Sequence, residues 1–156
     1  MTRDGKLLKN HCLQTIRKCR RRITLPRKKV TLISGRTIDQ GVTKEHSKLS
    51  EAYLESVAIC EIDPRDLEEL GVKENSNVKV STKHGAVVVK AKVSKRAPHA
   101  DIVFMPYGLW VNIIADPKTH GTGMPSFKGI EAEIEPAPTE HVQNIPQLLK
   151  HIFGKD

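Results

Sequence analysis

Apolar and polar residues alternate along much of the chain, which predicts strands more often than helices. The alternation is clearest over Ala86–Ser94, where every second residue is Val or Ala. β-Branched residues and turn signals predict six strands in all: Lys29–Ser34, Ser56–Ile62, Asn77–Lys83, Ala86–Ser94, Ile102–Met105 and Ile130–Glu135. Short strands separated by turns predict a mainly β protein, and a barrel in preference to an open parallel sheet.

Helix signals are few and short. Asp63 can cap a helix, Pro64 suits its first position, and Gly71 is expected to end it after two turns. A second helix is predicted near the end of the chain, over Ile145–Phe153, and its apolar side consists of Leu148, Leu149 and Ile152.

Composition divides the chain into three zones. These are a basic extension (1–28), a folded body (29–135), and a linker followed by the final helix (136–156). The linker is predicted from Pro136 and Pro138. In the extension, apolar residues recur at helical spacing, and they are Leu8, Cys12, Ile16, Cys19 and Ile23. The extension is therefore predicted to be helical or frayed.

The net charge of +8 belongs to the extension. Residues 1–29 contain eleven Lys or Arg and one Asp, a net charge of +10, while the remaining 15 basic and 17 acidic residues give −2. The body therefore offers no basic face for nucleic acid. The extension itself has two interpretations, a solvated appendage or a docking element for an acidic partner, RNA or an anionic membrane.

Several classes of protein are disfavoured. Three widely spaced cysteines argue against a disulfide framework and fit a reducing cytoplasm. No apolar run approaches the roughly 20 residues that a membrane helix needs. The seven histidines are scattered, and neither a zinc or iron–sulfur spacing nor a Ser/His/Asp arrangement is present. We therefore predict no catalytic and no metal-ligating residue in this chain.

Three segments have the character of binding loops. The first segment, Ser34–Gly41, follows a predicted strand. Its glycines permit close approach of a ligand, Arg36 can bind a phosphate with two hydrogen bonds, and Thr37 and Gln40 add hydrogen-bonding groups. An ordinary polar turn with a surface arginine is the equally open alternative.

The second segment, Met105–Asn112, contains the only tryptophan. Tyr107 and Trp110 can form the walls of a site for a flat heterocycle, and Asn112 can bind an amide-like edge. The alternative is a strand exit whose aromatic side chains lie in the core.

The third segment, Thr119–Pro125, is rich in glycine and hydroxyl groups and has no apolar periodicity. Backbone amides in such a segment can form a concave site for an anion. A plain surface loop is the alternative. The Gly121-Thr122-Gly123 run is not a dinucleotide-binding fingerprint, because no helix pattern follows it.

Taken in order, the motifs of the body resemble one known family. They are Ile33-Ser34-Gly35-Arg36-Thr37-Ile38-Asp39-Gln40-Gly41, Asp63-Pro64, Leu70-Gly71, Pro106-Tyr107-Gly108-Leu109-Trp110-Val111-Asn112, Thr122-Gly123-Met124-Pro125 and Phe127-Lys128-Gly129. The sequence with these motifs resembles the D-type subunit of formylmethanofuran dehydrogenase over roughly residues 29–135. That type of subunit is related to the C-terminal domain of the dimethyl sulfoxide reductase and formate dehydrogenase family.

The resemblance implies a double-psi β-barrel and a bis(molybdopterin guanine dinucleotide) cofactor carrying tungsten or molybdenum. It also implies a cytoplasmic, archaeal, hetero-oligomeric complex, in which a catalytic subunit supplies the metal's protein ligand and an iron–sulfur cluster. The complex reduces CO2 and forms formylmethanofuran, the reversible first step of methanogenesis. The expected cofactor-binding residues are Gly35, Arg36, Thr37, Gln40, Gly108, Trp110, Asn112, Thr122, Gly123 and Met124.

The chain departs from the family pattern at two places. Leu109 and Val111 stand where the family usually has Pro and Ala, and the basic extension precedes the usual start of the family. The rival interpretation is a nucleic-acid-binding barrel that uses this extension, and the body's charge of −2 disfavours it. A recognition barrel of the kind found in chaperone ATPases is a third option, but no ATPase module follows. Neither nucleic acid nor a membrane is expected as a partner.

Overall fold

The computed structural model describes residues 25–154. It has six strands: β1 (Lys28–Gly35), β2 (Ile59–Ile62), β3 (Asn77–Ser81), β4 (Ala86–Val93), β5 (Ile102–Pro106) and β6 (Lys128–Pro136). It has five helices: α1 (Ile38–His46), α2 (Glu51–Val57), α3 (Pro64–Leu70), α4 (Leu109–Ile114) and α5 (Ile145–Phe153). The helix expected in the basic extension, with Cys12 and Cys19, lies outside the described residues.

The six strands close into a barrel in the order β1-β5-β2-β4-β3-β6. β1 runs parallel to β5, and β2 runs parallel to β4, while the other four neighbouring pairs are antiparallel. This is a double-psi β-barrel, so the predicted fold is confirmed.

The barrel interior follows from the predicted alternation. In β4, Val87, Val89 and Ala91 point inward and are at most 4% exposed, whereas Val93 at the strand end is 37% exposed. The core is built mainly from Val, Ile, Leu and Ala. Its fully buried strand side chains include Leu32, Ile62, Val78, Val80, Val89, Val103, Met105 and Ile134.

The predicted second strand is wrong at its beginning. Residues 51–57 form α2, and the strand starts only at Ile59. Ser50 caps the helix through its side chain, which accepts a hydrogen bond from Tyr53 N at 3.2 Å. Tyr53 and Val57, four residues apart, both enter the core. This helical spacing keeps Ser56 and Val57 in the helix, although both were predicted to belong to the strand.

The first and second segments are less irregular than predicted. β1 continues to Gly35 and α1 begins at Ile38, so only two residues of the first segment lie outside regular structure. In the second segment, β5 ends at Pro106 and α4 begins at Leu109. Both segments are therefore short strand-to-helix turns.

Both predicted helices are present. Asp63 caps α3 by accepting from Arg65 N at 3.0 Å, and Gly71 ends it in the left-handed conformation. In α5 only Leu148 of the predicted apolar side is buried, while Leu149 and Ile152 are 41% and 42% exposed. None of the helices between residues 25 and 154 has the length and apolar character to cross a bilayer.

Candidate cofactor-binding site

The three segments meet at one end of the barrel. Because β1 and β5 are parallel, with Gly35 opposite Pro106, the first and second segments leave the barrel side by side. β6 is antiparallel to β1, so its first residue, Lys128, pairs with Ile33 near the same end. The third segment, which precedes β6, therefore reaches this end too. We call it the loop end, where β1, β3 and β5 finish.

Hydrogen bonds join the first and second segments directly, and another joins the first segment to Phe127, two residues after the third segment. Tyr107 N donates to Gly35 O at 2.8 Å, and Ser34 N donates to Phe127 O at 2.9 Å. The Ser34 hydroxyl donates to Met105 O at 2.7 Å. The ring of Tyr107 lies against the ring of Phe127, with centroids 5.0 Å apart. Residues that are far apart in the sequence thus form one continuous surface.

The first segment presents Arg36 to solvent. Arg36 is exposed and takes part in no ion pair within residues 25–154. Thr37 caps α1, its hydroxyl accepting from Gln40 N at 3.1 Å. Burial raises the pKa of the Tyr53 phenol, and a side-chain hydrogen bond with Gln40 opposes that rise. Gln40 is therefore partly engaged by the protein, whereas Arg36 remains accessible for an anion.

Close packing surrounds two glycines of the site, most tightly at Gly108. A Cβ on Gly108 would lie 2.2 Å from Val57 Cγ1, and one on Gly35 would lie 3.1 Å from the Phe104 ring. Gly108 therefore allows the second segment to pass directly over α2. Its backbone is extended (φ 175°), so the packing and not the backbone angle is the reason for glycine.

Trp110 does not form a wall of an open site. It is 1% exposed, and its indole N–H donates to Gln143 O at 3.1 Å. This corrects the prediction that it walls a heterocycle, because a large aromatic ring gains more free energy from burial in the core than from an exposed face. Asn112, two residues later on α4, is exposed at the loop end. Tyr107 is half-buried.

The third segment is exposed and tightly turned. His120, Gly121 and Gly123 all have positive φ, at 48°, 81° and 74°. The Thr122 hydroxyl is 2.7 Å from Thr119 O and 3.0 Å from Met124 O, which fixes the turn internally. Met124 is 58% exposed. Turns of this kind direct backbone amides to one side, where they can bind an anion.

Of the ten predicted site residues, Trp110 lines one of two grooves among residues 25–154, and none of the ten lines the other. A groove of about 840 Å³ crosses the outer side of β6 between β1 and the hairpin at residues 82–84, and it contains none of the ten. A smaller groove of about 240 Å³ lies between α2 and α5, with Trp110 at its base. Arg36, Asn112 and residues 120–124 are exposed, so the surface formed by the three segments is open to solvent.

Two observations concern side chains of the kind that bind metals. Cys60 is fully buried, and burial raises the pKa of its thiol. It packs in the core, as expected of a lone cysteine in an apolar strand. Within residues 25–154, no group of three or more His, Cys, Asp or Glu side chains is arranged to hold a metal ion.

The end of the barrel away from the three segments is different in chemistry. We call it the opposite end, where β2 finishes before Asp63 and β4 before Ser94. Here Lys28 Nζ lies 2.6 Å from Asp66 Oδ1 and 3.2 Å from Asp101 Oδ1, and it also contacts Glu69. Hydrogen bonds to these carboxylates raise the pKa of Lys28.

Further bonds complete this network. Asp66 is fully buried, and its second oxygen accepts from Asp101 N at 2.8 Å. Asp63 accepts from His99 N at 2.7 Å and from Arg65 N at 3.0 Å, and these two bonds lower its pKa. The carboxylates of Asp63 and Asp66 and the ammonium group of Lys28 thus all have partners within the protein.

Sequence reasoning missed two features of the site. The pattern Thr37-x-x-Gln40 is a helix-capping signature, and it would have placed the start of α1 correctly. The role of Ser34 in joining the segments had no local signal, because its partners Met105 and Phe127 are distant in sequence.

The barrel region of the sequence matches a known protein family. The sequence model of the family described as Molydopterin dinucleotide binding domain matches residues 30–131, which include β5, most of β1 and all three segments. The chain belongs to this family. The match begins inside β1 and ends inside β6, so the molybdopterin dinucleotide-binding domain corresponds to the barrel.

Two relatives extend the comparison. Protein FwdD from Methanocaldococcus jannaschii is 41% identical over 101 residues, which cover 65% of this chain and 76% of that protein. One subunit of the molybdenum-containing formylmethanofuran dehydrogenase 1 from Methanothermobacter thermautotrophicus is 37% identical over 110 residues, 70% of this chain and 27% of that subunit. The chain thus spans about a quarter of the length of this second relative. These matches confirm the resemblance to formylmethanofuran dehydrogenase subunits.

A solved structure shares the fold. Acetylene hydratase from Pelobacter acetylenicus superposes with a TM-score of 0.51 over 69% of this chain and 18% of the enzyme, at 15% identity. At this identity the likeness concerns the fold of the dinucleotide-binding domain alone.

Proposed function

We propose that this chain is the molybdopterin guanine dinucleotide-binding subunit of a formylmethanofuran dehydrogenase. In the proposed complex, which is cytoplasmic, CO2 is reduced and formylmethanofuran is formed, or the reverse reaction occurs. One observation carries the proposal: three segments whose residue types suit the binding of a phosphate or a heterocycle converge at one end of a barrel of the molybdopterin dinucleotide-binding family.

The residues at the loop end suit the chemistry of a dinucleotide. Arg36 is exposed and can bind a phosphate through two parallel hydrogen bonds. Gly121 and Gly123 have positive φ, and we expect the turn that they form to offer backbone amides to a second anionic group. Asn112 offers both a donor and an acceptor to the edge of a pterin or guanine ring. The cofactor would thus be held by groups from all three segments.

The remaining candidates act in supporting ways in this proposal. Gly35 and Gly108 allow the segments to pack closely, Thr37 and Gln40 fix the start of α1, and Trp110 supports α4 from the core. Thr122 holds the third turn, and Met124 provides exposed apolar surface. The cofactor, with molybdenum or tungsten, would supply the redox chemistry, and this chain would bind and orient it.

The open shape of the loop end favours a partner chain that encloses the cofactor. α1 begins directly after Arg36 and Thr37, and it has no buried residue. Ile38 and Val42, one turn apart on α1, are 84% and 55% exposed, and Leu49 is 71% exposed. Apolar side chains clustered beside a binding site are typical of a protein interface. We infer that a metal- and iron–sulfur-bearing catalytic subunit covers this surface in a hetero-oligomeric complex.

Cofactor retention in the assembled complex tests the proposal. Arg36→Ala and Asn112→Ala are each introduced into the tagged chain, and the pterin content of the purified complex is measured after oxidation to fluorescent products. Arg36→Ala is expected to lower the pterin content at least about tenfold, because a hydrogen bond to a charged group contributes about 1.5–3 kcal/mol. Asn112→Ala is expected to lower it about twofold to tenfold, because a hydrogen bond between neutral groups contributes about 0.5–1.5 kcal/mol.

Lys95→Ala serves as the matched control, since Lys95 is an exposed cation at the opposite end of the barrel. Its complex is expected to retain the wild-type pterin content. If both Arg36→Ala and Asn112→Ala retain the wild-type pterin content, these residues do not bind the cofactor, and the loop end is not the cofactor-binding site.

A further inference from the structure

Ser34 is an unusual residue for the barrel interior. It points inward from β1 in the same row as Val30 and Leu32, and it is 1% exposed. A hydroxyl group in an apolar core costs free energy unless it forms a hydrogen bond, whereas Ala or Val would fill the same space without that cost. The presence of serine is therefore explained by what its hydroxyl binds.

The hydroxyl of Ser34 binds the backbone of the second segment. Its Oγ donates to Met105 O at 2.7 Å, and Met105 is the residue directly opposite Ser34 in the parallel pair of β1 and β5. This bond lies one residue before Gly35 and Pro106, where both strands finish. It therefore fixes the two strands together at the point where the first and second segments leave the barrel.

The backbone N–H of Ser34 also forms a hydrogen bond, to Phe127, which lies between the third segment and β6. Ser34 N donates to Phe127 O at 2.9 Å, and the adjacent Gly35 O accepts from Tyr107 N at 2.8 Å. The ring of Tyr107 packs against Phe127. Backbone hydrogen bonds persist whatever side chain is present, so the Ser34 hydroxyl is the side-chain contribution to this junction that a substitution removes.

We propose that Ser34 is a positioning residue for the cofactor site. Its hydroxyl sets the distance between the first and second segments, so that groups on Arg36 and Asn112 reach one ligand at the same time. A small displacement of either segment would weaken contacts that depend on both. This inference rests on the proposed function, since the ligand is the dinucleotide cofactor.

Ser94→Ala provides a matched control for Ser34→Ala. Ser94 is also a buried serine, 5% exposed, and its hydroxyl lies 2.6 Å from His99 Nε2. It belongs to the opposite end of the barrel, beside Asp63 and away from the three segments. Both variants remove a buried hydroxyl, so a loss of stability alone would affect them in similar ways.

The first measurement is the pterin content of the complex purified through each variant chain. We expect Ser34→Ala to lower it about fivefold to tenfold, as for one lost hydrogen bond, and Ser94→Ala to leave it unchanged. Ser34→Cys keeps a weak donor of similar size and is expected to fall between wild type and Ser34→Ala. It also maintains the test if Ser34→Ala does not fold.

The second measurement needs no cofactor. Amide hydrogen exchange of the isolated chain is expected to be faster at Tyr107 and over residues 35–41 in Ser34→Ala, because the junction opens more often. In Ser94→Ala these amides are expected to exchange at the wild-type rate. Unchanged exchange at Tyr107 in Ser34→Ala would overturn the positioning role.

The results separate this inference from the proposed function. If Arg36→Ala and Asn112→Ala lose pterin while Ser34→Ala and Ser34→Cys retain it, the positioning role is wrong and the proposed function stands. If all four variants retain pterin as wild type does, both are wrong. Loss in Ser34→Ala that equals the loss in Ser94→Ala would mean that stability, and not position, explains the effect, and this outcome also contradicts the inference.

Discussion

The two ends of the barrel are made from the same six strands but use their polar groups differently. At the opposite end, Lys28 and Asp66 form a partly buried ion pair, and the backbone amides of Arg65 and His99 bind Asp63. At the loop end, the segments are joined mainly through backbone bonds, and Arg36 and Asn112 face solvent. The comparison indicates that the opposite end stabilises the barrel, and that the loop end keeps its polar side chains accessible for a ligand.

The largest effect on stability is expected from removing the buried ion pair at the opposite end. Lys28→Met leaves Asp66, whose side chain is 1% exposed, without its cationic partner. Removing one member of such a buried pair is expected to lower the free energy of unfolding by about 3 kcal/mol. Urea denaturation of the purified chain measures this change.

Arg27→Met is the control for this prediction. The Arg27 side chain is 67% exposed in its ion pair with Glu135, so its removal is expected to cost at most about 1 kcal/mol. Equal destabilisation by Lys28→Met and Arg27→Met would contradict the prediction, because the buried ion pair would then contribute no more to stability than an exposed one.

A second prediction concerns the packing of the loop end. Gly108→Ala places a methyl group 2.2 Å from Val57 Cγ1, so the second segment or α2 must shift. Overpacking of this kind is expected to cost about 1–3 kcal/mol and to lower the pterin content of the complex.

Gly41→Ala is the matched change, because a Cβ at Gly41 meets nothing within 4 Å. In the interior of α1 this substitution is expected to raise the free energy of unfolding by about 0.5–1 kcal/mol. Thermal unfolding of both variants checks the contrast, and a destabilised Gly41→Ala would mean that α1 is packed more closely than the structure shows.

Acid titration sharpens the comparison in a third way. The amides of His99 and Arg65 lower the pKa of Asp63, so its contribution to stability is present above the unfolded pKa of about 3.9 and is lost as the pH falls through the lower folded value. We expect Asp63→Asn to flatten the fall of the melting temperature below about pH 4. If the melting temperature of Asp63→Asn falls below pH 4 as steeply as that of the wild type, this role of Asp63 is contradicted.

The smallest effect on stability is expected at the binding side chains themselves. Arg36 and Asn112 are exposed, so Arg36→Ala and Asn112→Ala are each expected to change the free energy of unfolding by no more than about 0.5 kcal/mol. Denaturation of the isolated chains tests this directly. A large loss of stability would place these residues with the structural groups of the opposite end.

The strands and α3 were predictable from sequence because their signals are local. The alternation in β4 and the sequence Asp63-Pro64 before α3 each fix an element without reference to distant residues. α2 was missed because Tyr53 and Val57 form a helical face only when the core is present to receive them. Trp110 was misassigned for the same reason, since its partner, Gln143 O, belongs to the C-terminal segment.

The site was predictable in its parts and not in its assembly. The chemistry of Arg36, Asn112 and the third segment follows from residue type. Their convergence depends on the parallel pairing of β1 with β5, which joins residues that are distant in sequence. The strand pattern predicted a barrel, and resemblance to a family supplied its double-psi type. Only the hydrogen bonds of the structure showed that Ser34 connects the first and second segments.

The most direct test of the account is metal and pterin analysis of the complex that co-purifies with this chain from its native source. The account predicts a guanine-containing pterin with molybdenum or tungsten and an iron–sulfur-bearing partner, and it predicts that Arg36→Ala together with Asn112→Ala removes the pterin. A chain that purifies without pterin or metal, or that carries nucleic acid in their place, would contradict the proposed function.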